Sequence, residues 1–433
     1  MLRRALSLRD LIFIVVGTVI GSGIFLTPGA VVRTAGSGSV ALGAWIVGGV
    51  LSLLGALTFA ELGAANPDSG GLYAYLRDAF GPLVAFVYGW TMFLVIGSGS
   101  LATLAAAFPR YVSAFLPLSP AASAAVSVLM IALVTALNIR GTRESADVQG
   151  VATAVKVGVI VILAVLLIAM HRDTGHTGSW WPSAVTGRTL VDAVTAMIGV
   201  LWAYEGWQYV TFSAGETIDP QRTFGRGIVA GTMILIAIYV TANIGYFSAL
   251  GVDGVAASTR VASDAASAAL GPWAGRLLAA VILVSIFSAA NGLTLTLPRL
   301  FFAMARDRVF FARLADVHPR FGTPAAAILS TAAWSTVLVL SGSFEQLLTY
   351  VVFMSWLWFA LAAAAIFVYR RQRHAPRPFR TPGYPLTPIV FIAAALVIVV
   401  NTVVAQPRQS LVGLAFAVVG VPAYAIWRRT PAE

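Results

Sequence analysis

Roughly twelve stretches of about 20 apolar residues follow one another along this chain. They lie near 11–32, 40–65, 82–107, 121–138, 148–170, 189–214, 228–250, 273–303, 324–341, 346–369, 386–405 and 411–427. About 20 such residues are what a helix needs to cross a hydrocarbon layer of roughly 30 Å. Of 433 residues, 59% are hydrophobic and 10% charged, against about 25% charged in an ordinary soluble domain. No soluble fold hides that much apolar surface. The fold class this predicts is an all-α membrane protein.

Orientation follows from the basic residues. With the N-terminus inside, twenty arginines fall on cytoplasmic loops and seven, among them Arg33, Arg110 and Arg260, fall outside. This bias places both termini in the cytoplasm and implies a multi-pass protein of the plasma (inner) membrane. It also accounts for the net charge of +11 without a basic soluble face, so no nucleic-acid partner is expected; the lipid bilayer is the surrounding partner. The chain has no cysteine, which excludes disulfides and thiolate metal sites. His171, His176, His318 and His374 all fall in predicted loops, where they make no relay within the membrane. The first apolar run lacks a clean small-residue cleavage site and is read as a mature helix. No metal and no cofactor is predicted.

Two apolar runs are interrupted near their middles: Val19-Ile20-Gly21-Ser22-Gly23-Ile24-Phe25, and Leu201-Trp202-Ala203-Tyr204-Glu205-Gly206-Trp207. Unwound backbone at membrane depth is tolerated only where protein buries it or it lines a watery cavity. The breaks lie five spans apart, and an odd number of crossings inverts the second unit relative to the first. The expected layout is a first five-helix repeat in 1–170, an inverted repeat in 189–370, and two peripheral helices in 386–428, within one transporter domain. The segment from Tyr369 to Pro388, with Pro376, Pro378, Pro382 and Pro385, reads as the cytoplasmic loop leading to the peripheral pair.

Glycines 21 and 23 permit backbone that a β-carbon forbids and free the amides of Ser22, Gly23 and Ile24 at the start of a half-helix. Those amides and the helix dipole favour a carboxylate, while the carbonyls of Val19 and Ile20, at the end of the preceding half-helix, suit an ammonium group. Together they fit an α-amino acid zwitterion; the alternative for the glycines is a helix-packing contact. Glu205, in mid-membrane, either recognises a cationic group, carries a proton, or is a structural acid bonded to unwound backbone. Trp202 is a candidate lid over the substrate, or one more packing or interfacial tryptophan.

Lys156 is the only lysine and lies about 12 Å into its span, too deep to snorkel. Its ammonium needs carbonyls or hydroxyls as partners, such as the end of the broken first helix with Ser285 or Ser288. It can stand in for a coordinated sodium ion, carry a proton, or act as a static tether.

The segment from Gly17 to Phe25 resembles the first-helix signature of the amino acid, polyamine and organocation permeases, and Trp202-Ala203-Tyr204-Glu205-Gly206-Trp207 resembles the sixth-helix signature of their L-type exchanger branch. Similar stretches cover nearly the whole core: Pro67-Asp68-Ser69-Gly70-Gly71-Leu72-Tyr73, Gly215-Glu216 with Arg222 and Arg226, Ser288-Ala289-Ala290-Asn291-Gly292 through Pro298-Arg299 to Arg306-Asp307, and His318-Pro319-Arg320-Phe321-Gly322. The resemblance implies a ten-helix, leucine-transporter-type inverted-repeat core with helices one and six broken. It implies that the substrate carboxylate meets Ser22, Gly23 and Ile24, and that its amino group meets the carbonyls of Val19, Trp202 and Glu205, with Ala203 in the same break. Trp202 then falls at the gating aromatic, and Lys156 where sodium-independent members carry a lysine. Glu205 stands where many neutral exchangers have a smaller residue. Eukaryotic relatives join a glycoprotein subunit through a cysteine that this chain lacks, so no disulfide-linked heavy subunit is expected.

The expected function is a sodium-independent amino acid permease that exchanges neutral L-amino acids by alternating access. A cationic or proton-coupled transporter using Glu205 or Lys156 is the first alternative, and a non-transporting amino acid sensor is the second. An intramembrane enzyme finds no support, since hydrolytic motifs such as HExxH are absent.

Overall fold

A computed structural model describes residues 6–67, 70–170, 179–371 and 378–429, and among them every regular element is helical. Asp68, Ser69, His171, His176, His374 and Pro376 lie outside the described residues. In chain order the helices are α1 (Leu8–Val19), α2 (Gly23–Ala35), α3 (Gly38–Ala65), α4 (Leu72–Phe80), α5 (Pro82–Thr91), α6 (Gly97–Val112), α7 (Pro120–Arg140), α8 (Thr142–Ala169), α9 (Gly187–Ala203), α10 (Pro220–Ala257), α11 (Val261–Leu270), α12 (Pro272–Thr296), α13 (Pro298–Arg306), α14 (Ala325–Ser341), α15 (Phe344–Arg371), α16 (Leu386–Ala405) and α17 (Pro407–Arg429).

Among the described residues, nine helical stretches are long and apolar enough to cross a membrane. The pair α1 and α2, bent by 47° across its break, makes a tenth. The two remaining expected crossings, α9 and α14, have 17 residues each, about 25 Å of helix. By length and composition, ten of the twelve expected spans therefore stand.

Local sequence explains where the elements start and stop. Ser7 caps α1 in a reciprocal arrangement with Asp10, satisfying amides that would otherwise have no partner. α1 ends where Ile20 leaves helical geometry, with ψ of 89°. Two short helices that do not span, α4 and α11, end alike: Gly81 (φ 90°, ψ 171°) precedes Pro82, and Gly271 (φ 94°, ψ 168°) precedes Pro272. A left-handed φ suits glycine, and proline is tolerated in the first helical turn, so each Gly-Pro pair turns the chain into a new span.

Three boundaries differ from the sequence expectation. The third span runs from Pro82 to Val112 and contains a π-helical turn over Met92–Ile96. α10 is much longer than 228–250: it starts at Pro220 and continues past a kink at Gly251 (φ 65°) to Ala257. Pro388 lies in the first turn of α16 rather than in the loop, a position where its missing N–H costs nothing.

The core that positions the two breaks is aromatic. Tyr204 and Tyr239 lie 5.0 Å apart by ring centroid, and Trp45 is 5.8 Å from Tyr239. All three are fully buried. By contrast α16 and α17 present Val404, Leu411 and Ile426 outward, as helices facing lipid do.

Candidate functional site

The two interrupted helices touch at their breaks. A β-carbon on Gly23 would collide with Ala203, 2.7 Å from its Cβ, and one on Gly206 would stand 3.2 Å from the backbone of Thr18. Gly206 also has φ of 125°, a conformation that calls for glycine there. α9 stops at Ala203, Tyr204 and Glu205 close a turn onto the Trp202 carbonyl, and the chain resumes as a 3-10 helix over Trp207–Glu216.

Between the breaks lies a cavity of about 30 Å³, lined by Thr18, Val19, Gly21, Ser22, Gly23, Ser100, Leu104, Trp202, Glu205, Tyr209, Ala289 and Leu293. The amides of Gly21, Ser22, Gly23 and Ile24 donate to no carbonyl among the described residues. The buried Ser22 hydroxyl and the Trp202 indole N–H also lack partners there. Unsatisfied donors at a helix N-terminus form an anion site. The Glu205 carboxylate accepts from Gln208 Nε2 (2.6 Å) and from the Ser355 hydroxyl of α15 (3.1 Å), while the Gly206 amide donates to Gln208 (3.1 Å).

The carbonyl end of α1 is occupied by side chains of α8, α10 and α12. Lys156 Nζ donates to the carbonyls of Gly17 and Ile20, both at 2.6 Å, and approaches the Ser288 hydroxyl at 3.3 Å. Ser285 donates to Ile20 (3.1 Å) and lies 3.3 Å from the Gly21 carbonyl. Tyr239 lies within hydrogen-bond reach of both the Val19 carbonyl (3.2 Å) and the Ala203 carbonyl (3.0 Å). The Val19 and Ile20 carbonyls are therefore not unpaired. Ile20 belongs with Lys156, Ser285 and Ser288, and neither Ala203 nor Ile24 is among the residues lining the cavity. Lys156 is fully buried, and an ammonium at that depth needs such acceptors.

One face of the molecule opens toward this site. A vestibule of about 250 Å³ runs between α2, α9 and the start of α15, with Arg33, Arg110, Thr195, Glu345 and Gln406 in its walls. Trp202 and Phe344 meet edge to face, 6.4 Å apart, where the vestibule approaches the cavity. The opposite face is sealed. Arg299 pairs with Glu216, and Leu6 bonds across to Glu216 and Ile218 at 2.9 Å each. Asp307 accepts from Arg77 (2.7 Å) and Tyr73 (2.9 Å). Burial and then the Asp307 carboxylate push the Tyr73 phenol above its ordinary value, so it stays a donor. Among the described residues, no group of three or more histidines and carboxylates stands ready to hold a metal.

Sequence reasoning missed Tyr239, Gln208, Ser355, Ser100 and Tyr209. The first three act through contacts that depend on how the chain folds back on itself and carry no local signature. Ser100 had one indirect signal, Gly97-Ser98-Gly99-Ser100 inside an apolar run, which resembles the pattern of the first break.

The amino acid permease profile matches residues 6–424. The chain is 30% identical over 427 residues to the serine/threonine exchanger SteT of Bacillus subtilis (strain 168), covering 98% of this chain and 96% of that one. It is 31% identical to the human cystine/glutamate transporter, over 99% and 87% of the two chains. To the mouse b(0,+)-type amino acid transporter 1 it is also 31% identical, over 94% and 84%. With a broken helix pair around a small polar cavity and a profile match along nearly its full length, this chain belongs to the amino acid permease family.

Proposed function

We propose that this protein is a sodium-independent exchanger of neutral L-amino acids, working by alternating access in the plasma membrane with both termini cytoplasmic. The observation that carries the reading is the set of unpartnered amides at Gly21, Ser22 and Gly23, gathered with the Ser22 hydroxyl at a cavity that both breaks share. The substrate carboxylate sits on those donors, and its amino group turns toward the Glu205 break. Trp202, beside Phe344, closes over it from the vestibule. The exchanger name borne by the Bacillus subtilis relative supports the exchange mode, and the transporter names of the other two support amino acid transport.

Sodium independence rests on Lys156. Its ammonium holds the Gly17 and Ile20 carbonyls, the kind of oxygen ligands a hard cation would otherwise take. Two five-span units, 1–170 and 189–370, related by inversion, are supported by the paired breaks and by the matching Gly-Pro turns after α4 and α11. With no cysteine in the chain, any partner subunit is held without a disulfide. A second reading follows from Glu205, whose carboxylate lines the cavity: cationic or proton-coupled transport.

Counterflow of labelled amino acids in proteoliposomes tests the proposal. Trans-stimulated uptake that is indifferent to replacing sodium by choline is expected. Strict sodium dependence would defeat the Lys156 assignment, and saturable binding without flux would favour a sensor. An unchanged ranking of cationic against neutral competitors in Glu205→Gln would remove the cationic form of the second reading, and exchange indifferent to an imposed pH gradient would remove the proton-coupled form.

A further inference from the structure

We infer that Ser100 and Tyr209 form the side-chain recognition pair of this site, and that it selects short L-amino acids bearing a hydroxyl. The inference rests on the permease reading above and names the substrate class for it. With the zwitterion on the broken backbones, the rest of the lining meets the substrate side chain: Ser100, Leu104, Tyr209, Ala289 and Leu293. Leu104 and Ala289 limit its bulk. A β-carbon on Gly21 would already stand 3.0 and 3.1 Å from them, so these walls pack against the binding backbone itself, and a cavity of about 30 Å³ favours a short side chain.

Within that tight apolar wall, the Ser100 and Tyr209 hydroxyls lie 3.2 Å apart, both buried. Two hydroxyls carry two protons. One makes the bond between them, and the other has no acceptor among the described residues. A donor left unsatisfied in a buried site costs free energy that a ligand with a lone pair at that point recovers. A serine or threonine hydroxyl supplies the lone pair; an isosteric methyl group does not.

The fold holds Ser100 in place. The π turn at Met92–Ile96 shifts the register of α6, which follows it, and such turns recur at functional sites. Its disturbed backbone is held from behind by α14: Trp334 Nε1 donates to the Leu94 carbonyl (2.8 Å) and Ser335 to the Ser98 carbonyl (2.9 Å). The opposite side of the helix is thereby fixed toward the cavity. Glu205 shares the cavity, but its carboxylate is engaged by Gln208 and Ser355, and the small cavity favours side chains shorter than those it would otherwise recruit.

The test is competition between threonine and valine, which share a shape, against labelled serine in proteoliposome exchange. Reading the ratio within each variant removes differences in folded amount. The wild type should prefer threonine by about tenfold or more. Ser100→Ala and Tyr209→Phe should each lower that ratio by about threefold or more, as expected for one lost hydrogen bond, and Ser100→Thr should keep it. A ratio unchanged in both hydroxyl-deleted variants, or a wild type that prefers valine, overturns the inference while leaving the permease reading intact. Absence of exchange with every amino acid overturns both.

Discussion

The two faces of the molecule carry ion pairs of very different burial. On the vestibule face, Arg110 and Glu345 pair at 2.8 Å with side chains 39% and 66% exposed. On the sealed face, Arg299 and Glu216 are 11% and 12% exposed, and Arg370 grips Glu61, 4% exposed, through bonds of 2.7 and 2.6 Å. The Thr381 amide adds a third bond to Glu61 at 2.7 Å. Exposed pairs contribute about 0–1 kcal/mol, whereas stripping one partner from a buried pair costs about 3–5 kcal/mol. On the alternating-access reading proposed above, the firm latch of this structure lies on the side away from the vestibule. Opening the sealed side has to break buried pairs there, and a bound substrate drives that only by binding more tightly to the state in which they are broken.

The largest expected effect comes from removing the latch. Arg299→Ala leaves Glu216 buried without its guanidinium, and about 3 kcal/mol moves the balance between faces roughly a hundredfold. Because the natural chain has no cysteine, Ser213→Cys supplies a single thiol that reports the change directly. Its labelling from the sealed side should accelerate by more than about tenfold when Arg299 is removed, and an unchanged rate would show that this pair is not the latch.

Next is Lys156→Ala, which deprives the Gly17 and Ile20 carbonyls of their ammonium partner. Exchange should fall by about tenfold or more, since hydrogen bonds to a charged group are worth about 1.5–3 kcal/mol. Near-normal exchange would reduce the lysine to a tether. Tyr239→Phe removes the hydroxyl shared by both breaks, about 1 kcal/mol, and should slow exchange about fivefold with little change in melting temperature. The smallest effect belongs to the vestibule: Arg110→Ala should change KM by less than about threefold. That difference should fade in high salt, as screening of an exposed pair requires. A larger, salt-resistant loss would mean that the two faces are latched with equal strength.

The sequence carried more of the first break than of its surroundings. Gly21-Ser22-Gly23 and Tyr204-Glu205-Gly206 announce interrupted helices because unwound backbone and charge at membrane depth survive only where protein buries them or water reaches them. The depth of Lys156 likewise dictated a carbonyl cage. Which of its two expected uses the Ile20 carbonyl serves, the cage or the substrate cavity, was not legible, because its direction depends on a ψ of 89° that no residue type specifies. The π turn before Gly97 was equally hidden: Met92–Ile96 reads as an unbroken apolar run, and its distortion is held by Trp334 and Ser335 from another helix.

Residue types alone determined that this chain crosses a membrane as helices, where most of its spans lie to within a few residues, and which two of them are broken, because hydrophobic length and unsatisfied backbone are local quantities. The tertiary structure alone decided which groups meet: Tyr239 across both breaks, Ser100 against Tyr209, Glu216 against Arg299, and Leu104 with Ala289 against Gly21. Such pairings join residues far apart in the chain, and their geometry is fixed by how many helices pack at once, a property that no single stretch of sequence possesses.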